Sequence, residues 1–310
     1  MANAAEETVK FIMRSVLLIL GLASIILPVI AQSKKEPQMF AEGVISTGQT
    51  ADELFISFTP DMKTLYFTKR PPGGVFTIYF SQTVNGRWSE PQVAPFSGVY
   101  KDQGPFVSPD GKRIFFYSNR PIQGDKPRPD NDLWVVEKTT AGWGDAKHLG
   151  PQINSDLNEA HPSVDRFGNL YFWVFEEKSD GFGKSDIYVS KPENGEYRTA
   201  QNLGNQINSH YYESSPFISP DGRYLLFCRD DVPGDLCKAD IYISYFRKNS
   251  WTKPQPLKRG VNSSQFDFAP LVSPDKKHFF FSSNRLPQST EMGRQNIYFM
   301  KIRDLGLELK

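Results

Sequence analysis

Cysteine is nearly absent from this chain, with Cys228 and Cys237 the only two in 310 residues. Two thiols cannot build a disulfide scaffold or a four-ligand structural zinc site. Histidine is also scarce, and His148, His161, His210 and His278 form no H-E-x-x-H and no other pair at ligand spacing. An excess of either charge is missing: Lys plus Arg number 36 against 35 Asp plus Glu, a net +1. A surface that tracks phosphates needs a basic surplus, so nucleic acid is not an expected partner. No G-x-S-x-G nucleophile elbow occurs, and past residue 31 no window of ten residues carries a helical period.

Long apolar runs are limited to one, VLLILGLASIILPVIA at 16–31, preceded by Lys10 and Arg14. Its 16 residues contain Pro28 and fall short of the ~20 that a spanning helix needs, so 1–31 reads as a signal peptide. Residue 32 is Gln rather than Cys, which leaves no lipid anchor there. The mature chain, 32–310, is expected in the periplasm or secreted, with no stable membrane anchor and as a monomer. The two cysteines bracket a loop between two apolar runs, so either they form a disulfide across a hairpin or both are small buried thiols.

What is plentiful is aromatic residues (14%), with Gly and Pro at 23 each, and these fall in a repeat. SFTPDMKTLYF (57–67), VSPDGKRIFF (107–116), VDRFGNLYF (164–172), ISPDGRYLLF (218–227) and VSPDKKHFFF (272–281) share one pattern. The Pro or its equivalent stands at 60, 109, 166, 220 and 274, a spacing of 49 to 57 residues, the size of a propeller blade. Pro presets φ at the first turn position and Asp or Gly tolerates the next, so each phrase is a hairpin. A third strand follows in each repeat (TIYFSQ, DLWVVE, DIYVSK, DIYISY, NIYFMK), and then turns at Asn85-Gly86, Asn194-Gly195 and Asn249-Ser250. The fifth repeat lacks its fourth strand, and EPQMFAEGV at 36–44 matches the fourth strands of other repeats. The expected fold is all-β: a single five-bladed β-propeller of four-stranded antiparallel blades, its ring closed by the N-terminal strand. The blades span approximately 50–98, 99–155, 156–209, 210–262 and 263–310, with 36–46 as the closing strand.

The Ser-Pro-Asp-Gly turn, Ser-Asn-Arg at 118–120 and 283–285, and Asp-Ile-Tyr at 186–188 and 240–242 resemble the WD-repeat-like propeller repeat with a Pro-Asp signature. This is the repeat of the TolB propeller and of many exported bacterial proteins. The resemblance implies a propeller of the cell envelope and specifies no activity.

Seven residues before each turn position stands an acid: Glu53, Asp102, Glu159, Glu213 and Asp267. In a propeller these carboxylates would ring the channel mouth and repel one another by about 2 kcal/mol per pair at 8 Å and an effective dielectric near 20. Two offsets are expected: ion pairs with Arg70, Arg120 and Arg285, or a cation such as Ca²⁺ at the mouth. Glu176 and Asp231 stand where two further arginines would be and make that side more acidic. Asp132, Asp186 and Asp240 before the third strands are read as turn formers. Without a catalytic set, the chain is expected to be a non-enzymatic binding or scaffold module that engages a protein, peptide or glycan of the cell envelope on this acid-rimmed face. The alternative is a carbohydrate-active hydrolase or lyase that uses the mouth carboxylates.

Overall fold

The Pro-Asp turns build their hairpins with the same few bonds. In the second repeat Ser108 Oγ donates to Asp110 Oδ1 and accepts from Arg113 N, while Asp110 Oδ1 also accepts from Lys112 N at 3.0 Å. Thr59 with Asp61, Ser219 with Asp221 and Ser273 with Asp275 repeat the set. One left-handed residue completes each of these turns, Met62, Gly111, Gly222 or Lys276, at φ between 56° and 72°. The third repeat has Asp165 in place of the Ser, and its carboxylate takes over the bonding by accepting from Phe167 N, Asn169 N and Asn169 Nδ2.

This computed structural model describes residues 36–48, 50–175, 182–230, 232, 239–258, 260–285, 294–307 and 309. Residues 1–31, read from the sequence as a signal peptide, and Glu176, Asp231 and Cys237 lie outside the described residues. Each hairpin joins a first strand (Asp52–Phe58, Asp102–Val107, Asn158–Val164, Tyr212–Ile218, Asp267–Val272) to a second (Thr64–Arg70, Arg113–Ser118, Leu170–Phe175, Tyr224–Asp230, His278–Ser283). A third strand pairs antiparallel with the second: Thr77–Val84, Asp132–Thr139, Ser185–Ser190, Ala239–Arg247 or Asn296–Lys301. The fourth strands are two residues long, Gln92–Val93, Lys147–His148, Gln201–Asn202 and Gln255–Pro256. Gln38–Met39 supplies the equivalent pairing for the fifth repeat against Asn296–Lys301. In the fourth repeat the positive-φ turn pair is Lys248-Asn249, one residue earlier than Asn249-Ser250. Among the described residues the single helix is Ile302–Leu305.

Both faces of each sheet are covered, which is why the second strands are continuous apolar runs rather than alternating ones. Phe67, Phe115, Phe116, Phe172, Phe227, Phe279, Phe280 and Phe281 are all fully buried. Each such side chain contributes about 1.5–3 kcal/mol on leaving water. The first strands pack against one another in chain order, and Asp52–Phe58 also packs against Asp267–Val272 of the last repeat. One core cluster accordingly unites Ile45, Phe58, Phe67, Phe217, Leu226, Phe280 and Ile297 from both ends of the chain.

Between repeats, side chains imitate strands. Asn154 Oδ1 accepts from Leu133 N at 2.8 Å while its Nδ2 donates to Leu133 O at 3.1 Å. Asn208 clips Ile187 and Asn262 clips Ile241 in the same way. Ser97 Oγ accepts from Ile78 N, and Ser46 Oγ bonds both N and O of Ile297, so the N-terminal segment does for the last repeat what the end of each earlier repeat does for its own third strand.

Candidate functional site

The five acids lie at equivalent positions, and all are at most 1% exposed. Each is tied to a hydroxyl just upstream. Glu53 accepts from Thr47 N and Oγ1, Asp102 from Ser97, Glu159 from Ser155, Glu213 from Ser209 N and Oγ, and Asp267 from Ser263 N and Oγ. Arg120 pairs with Asp102 at 2.7 Å and Arg285 with Asp267 at 2.5 Å, as the repeat predicts. Arg70 does not pair with Glu53. Strand register sets Asp52 opposite Arg70 and Glu53 opposite Lys69, so Arg70 bonds Asp52 at 2.7 Å and Lys69 reaches Glu53 at 3.3 Å. Arg229, not singled out from the sequence, pairs with Glu213 at 2.6 Å and also donates to Ile207 O.

The expectation that these acids rim the channel mouth is therefore corrected, while the ion-pair offset holds for Asp102 and Asp267. Successive side chains of a strand point to opposite faces. Glu213 and Asp267 turn into the space between sheets, while their neighbours Tyr212 and Ser214, and Phe266 and Phe268, turn toward the centre. The carboxylates act as ties between the end of one repeat and the first strand of the next.

Glu159 departs from the pattern. Val174 stands opposite it, where Glu53 and Glu213 have Lys69 and Arg229. Among the described residues no Lys or Arg comes within 4.0 Å of its carboxylate, and Oε2 has no hydrogen-bond partner. Arg128 is engaged nearby with Asp130 at 2.6 Å and Asp132 at 3.2 Å. Burial pushes the Glu159 carboxyl up to about 7, against the Ser155 hydrogen bonds and helped by Asp132 and Asp130. In Glu213 burial also raises the carboxyl, with Ser209 and Arg229 opposing. Of the expected turn formers, Asp132 bonds His148 Nε2 at 3.0 Å on the fourth strand, and Asp186 accepts from Phe182 N, a local bond, and from Asn202 Nδ2 on the fourth strand, so both acids reach beyond the turn. Cys228 is buried and has no disulfide partner among the described residues; the disulfide alternative with Cys237 falls outside them.

The centre is aromatic. Every first strand carries a bulge with one left-handed residue, Phe55, Gly104, His161, Ser215 or Ala269, at φ between 50° and 59°. Pro follows in four of the five, where the interrupted ladder has no use for an N–H. At Gly104 a Cβ would come 2.6 Å from Tyr117 Cε1, so glycine is required there for space, while other residue types hold the same φ in the other four repeats. Above these bulges opens a pocket of about 360 Å³. It is lined by rings from all five repeats, Phe55, Tyr117, Trp173, Phe175, Tyr212, Phe266 and Phe268, with His161, Ala239, Ser185, Ser214, Ser215, Gln295 and Asp230. The Phe175 and Tyr212 rings stack at 6.3 Å with 15° between planes, and His161 meets Phe55 edge-on at 4.3 Å. Burial among Phe55 and Tyr117 pushes the His161 imidazole down to about 3, so it is neutral at physiological pH.

None of these pocket residues was singled out from the sequence except His161. The available signal was the column five residues before each turn position together with its neighbours, which varies in residue type and so escapes a search for invariant polar positions. Among the described residues no group of three or more His, Cys, Asp or Glu is arranged to hold a metal ion, and no helix is long and apolar enough to cross a membrane.

No family model matches the chain, and no curated protein matches it. Solved structures do. A structure described as TolB of Agrobacterium tumefaciens shares 15% identity at a TM-score of 0.50, over 84% of this chain and 79% of that one. TolB from Acinetobacter baumannii shares 16% at 0.48, over 80% and 54%. A thermostable family-43 glycoside hydrolase shares 13% at 0.53, over 84% and 92%. At these identities the likeness is one of fold, a TolB-like β-propeller.

Proposed function

We propose that this chain is an exported, non-enzymatic binding module: a five-bladed propeller, closed by its N-terminal strand, that engages a protein, peptide or glycan of the cell envelope at the aromatic-lined central pocket. The observation that carries this reading is the pocket itself. Seven rings from five repeats line one cavity, six of them partly exposed, whereas the acids that an enzyme would use are buried in ties. Concave, mostly apolar sites with a few convergent polar groups are where ligands bind. Ca²⁺ has no charge to balance at the four acids that already hold Lys or Arg. The likeness to TolB structures accords with a place in the periplasm or outside the cell.

The test uses glycan and peptide arrays probed with the mature chain and with a Trp173→Ala/Phe175→Ala variant shown to be folded. The expected result is a ligand that the variant binds at least about ten-fold more weakly, since burying two such rings is worth several kcal/mol. Binding that survives the double substitution would remove the pocket from the reading. Release of cleaved product from a bound glycan, abolished by Glu159→Gln, would replace it with the hydrolase alternative.

A further inference from the structure

A second concave site lies at the other end of the strands from the aromatic pocket. It is a cleft of about 180 Å³ between the turns of the second and third repeats, and Arg113 and Arg166 both line it. Both turns, and the Pro220 turn whose carbonyl accepts from Arg166 N, lie wholly within the described residues.

The third repeat departs from its equivalents here. Residues 59–62, 108–111, 219–222 and 273–276 read Thr or Ser, then Pro, Asp and a left-handed residue, whereas 165–168 reads Asp-Arg-Phe-Gly. Because the Asp165 carboxylate accepts from Phe167 N and Asn169 N, this turn closes without help from the side chains at its tip. Arg166 therefore stands in place of the Pro, and Phe167 in place of the bonding Asp. Phe167 is 60% exposed, and the Arg166 guanidinium lies 4.9 Å from its ring centroid. Arg113 is also peculiar to its repeat, since Thr64, Asn169, Tyr224 and His278 precede the matching apolar residue of the second strand elsewhere.

Neither guanidinium is neutralised by contact. Among the described residues no carboxylate lies within 4.0 Å of Arg113 or Arg166. Arg113 rests against the Phe115 ring at 5.3 Å and beside the Tyr197 hydroxyl, both uncharged. Asp110 and Asp165 line the cleft too, but Asp110 Oδ1 accepts from Ser108 Oγ and Lys112 N, and the buried Asp165 is taken up by donors of its own turn. The exposed Lys112 adds a third cation beside them. A planar guanidinium pairs best with a carboxylate or phosphate, and Arg beside an exposed aromatic ring is the composition that interface centres favour.

We infer that this cleft is a second docking site, at which a polypeptide partner presents an Asp or Glu carboxylate to Arg113 and Arg166 and lays a neighbouring apolar side chain against Phe167. The exposed ring selects a polypeptide, because a free anion has no use for it. The site is independent of the central pocket.

The experiment applies the mature chain to an array of heptapeptides that permute Asp and Glu with Leu, Phe and Ser, beside a matched array carrying Asn and Gln. The strongest pairs are then titrated by fluorescence anisotropy. Acidic peptides are expected to bind about ten-fold or more tightly than their amide partners and to weaken as salt is raised. That advantage should vanish in Arg113→Gln and Arg166→Gln, and Phe167→Ser should weaken binding about three-fold or more. Trp173→Ala/Phe175→Ala should leave it unchanged, which separates this site from the pocket reading. The comparison of acid with amide needs no variant, so a misfolded substitution does not shelter the idea. Equal binding of acidic and amide peptides, or no binding on either array, overturns the site. Inorganic phosphate that displaces the acidic peptide while Phe167→Ser has no effect overturns the polypeptide partner in favour of a free anion. Loss of binding in Trp173→Ala/Phe175→Ala overturns the site by moving the peptide to the central pocket.

Discussion

Glu159 and Glu213 occupy the same place in successive repeats and differ in one facing residue, Val174 against Arg229. That difference leaves Glu159 without the cation that opposes the effect of burial at Glu213. The Glu159 folded pKa of about 7 stands above the ordinary 4.5, so the folded chain binds more protons between those values. Its contribution is fully present below pH 4.5, is lost as pH rises through 7, and amounts to roughly 3 kcal/mol. Glu159→Gln keeps the shape of the protonated acid. Urea unfolding should therefore show the variant gaining on the wild type by that order at pH 8 and by little at pH 5; equal differences at both pH values would contradict the assignment. Arg229→Met should cost about 3–5 kcal/mol by stranding the Glu213 charge, and Glu213→Gln added to it should restore most of the loss. The acids were legible as a column, because spacing from a turn can be counted. Their direction was not, because it depends on which face of the first strand meets the neighbouring sheet.

At the scale of elements, the hairpins were legible almost to the residue, since a Ser-x-Asp turn satisfies its own backbone within six positions. The Asn clips were not. Asn154, Asn208 and Asn262 each reach back 21 residues to a third strand, and nothing local marks an Asn-Ser pair in a loop as part of a sheet. Asn208→Ala leaves N of Ile187 unpaired in a buried place, while its O keeps the bond from Leu203 N, and should destabilise by about 1–3 kcal/mol, with faster amide exchange at Ile187 as the readout. Gly104→Ala combines a left-handed φ with a 2.6 Å approach to Tyr117, so the bulge itself must shift. A loss of about 1–3 kcal/mol of unfolding free energy in denaturant titration is expected, and a neutral result would mean that the first strand of the second repeat is looser than its packing implies.

At the scale of the whole molecule, the N-terminal segment carries more than its length suggests. Phe40 packs on Phe58, Phe280 and Phe299, Ile45 is fully buried, Ser46 bonds Ile297, and Thr47 bonds Glu53. Deleting 32–48 should therefore expose the edge of Asn296–Lys301, remove on the order of 5 kcal/mol, and favour aggregation. Addition of a 36–48 peptide in trans should recover part of the melting temperature. A truncated chain that melts like the parent would show that the ends do not close the fold.

The sequence by itself determined the units. Turn chemistry, apolar second strands and a repeat of about fifty residues act over short range, where bond geometry and hydrophobic pattern are sufficient. It also foretold where the missing fourth strand lies, since 36–44 repeats the wording of its equivalents. Only the tertiary structure decided what faces inward. Whether Glu213 or Ser214, Asp267 or Phe268, points to the centre is settled by how the sheets pack, and that packing buried the acids and left the rings around an open pocket. A pocket assembled from five repeats has no sequence neighbourhood of its own; it exists only once strands from across the chain have been brought side by side.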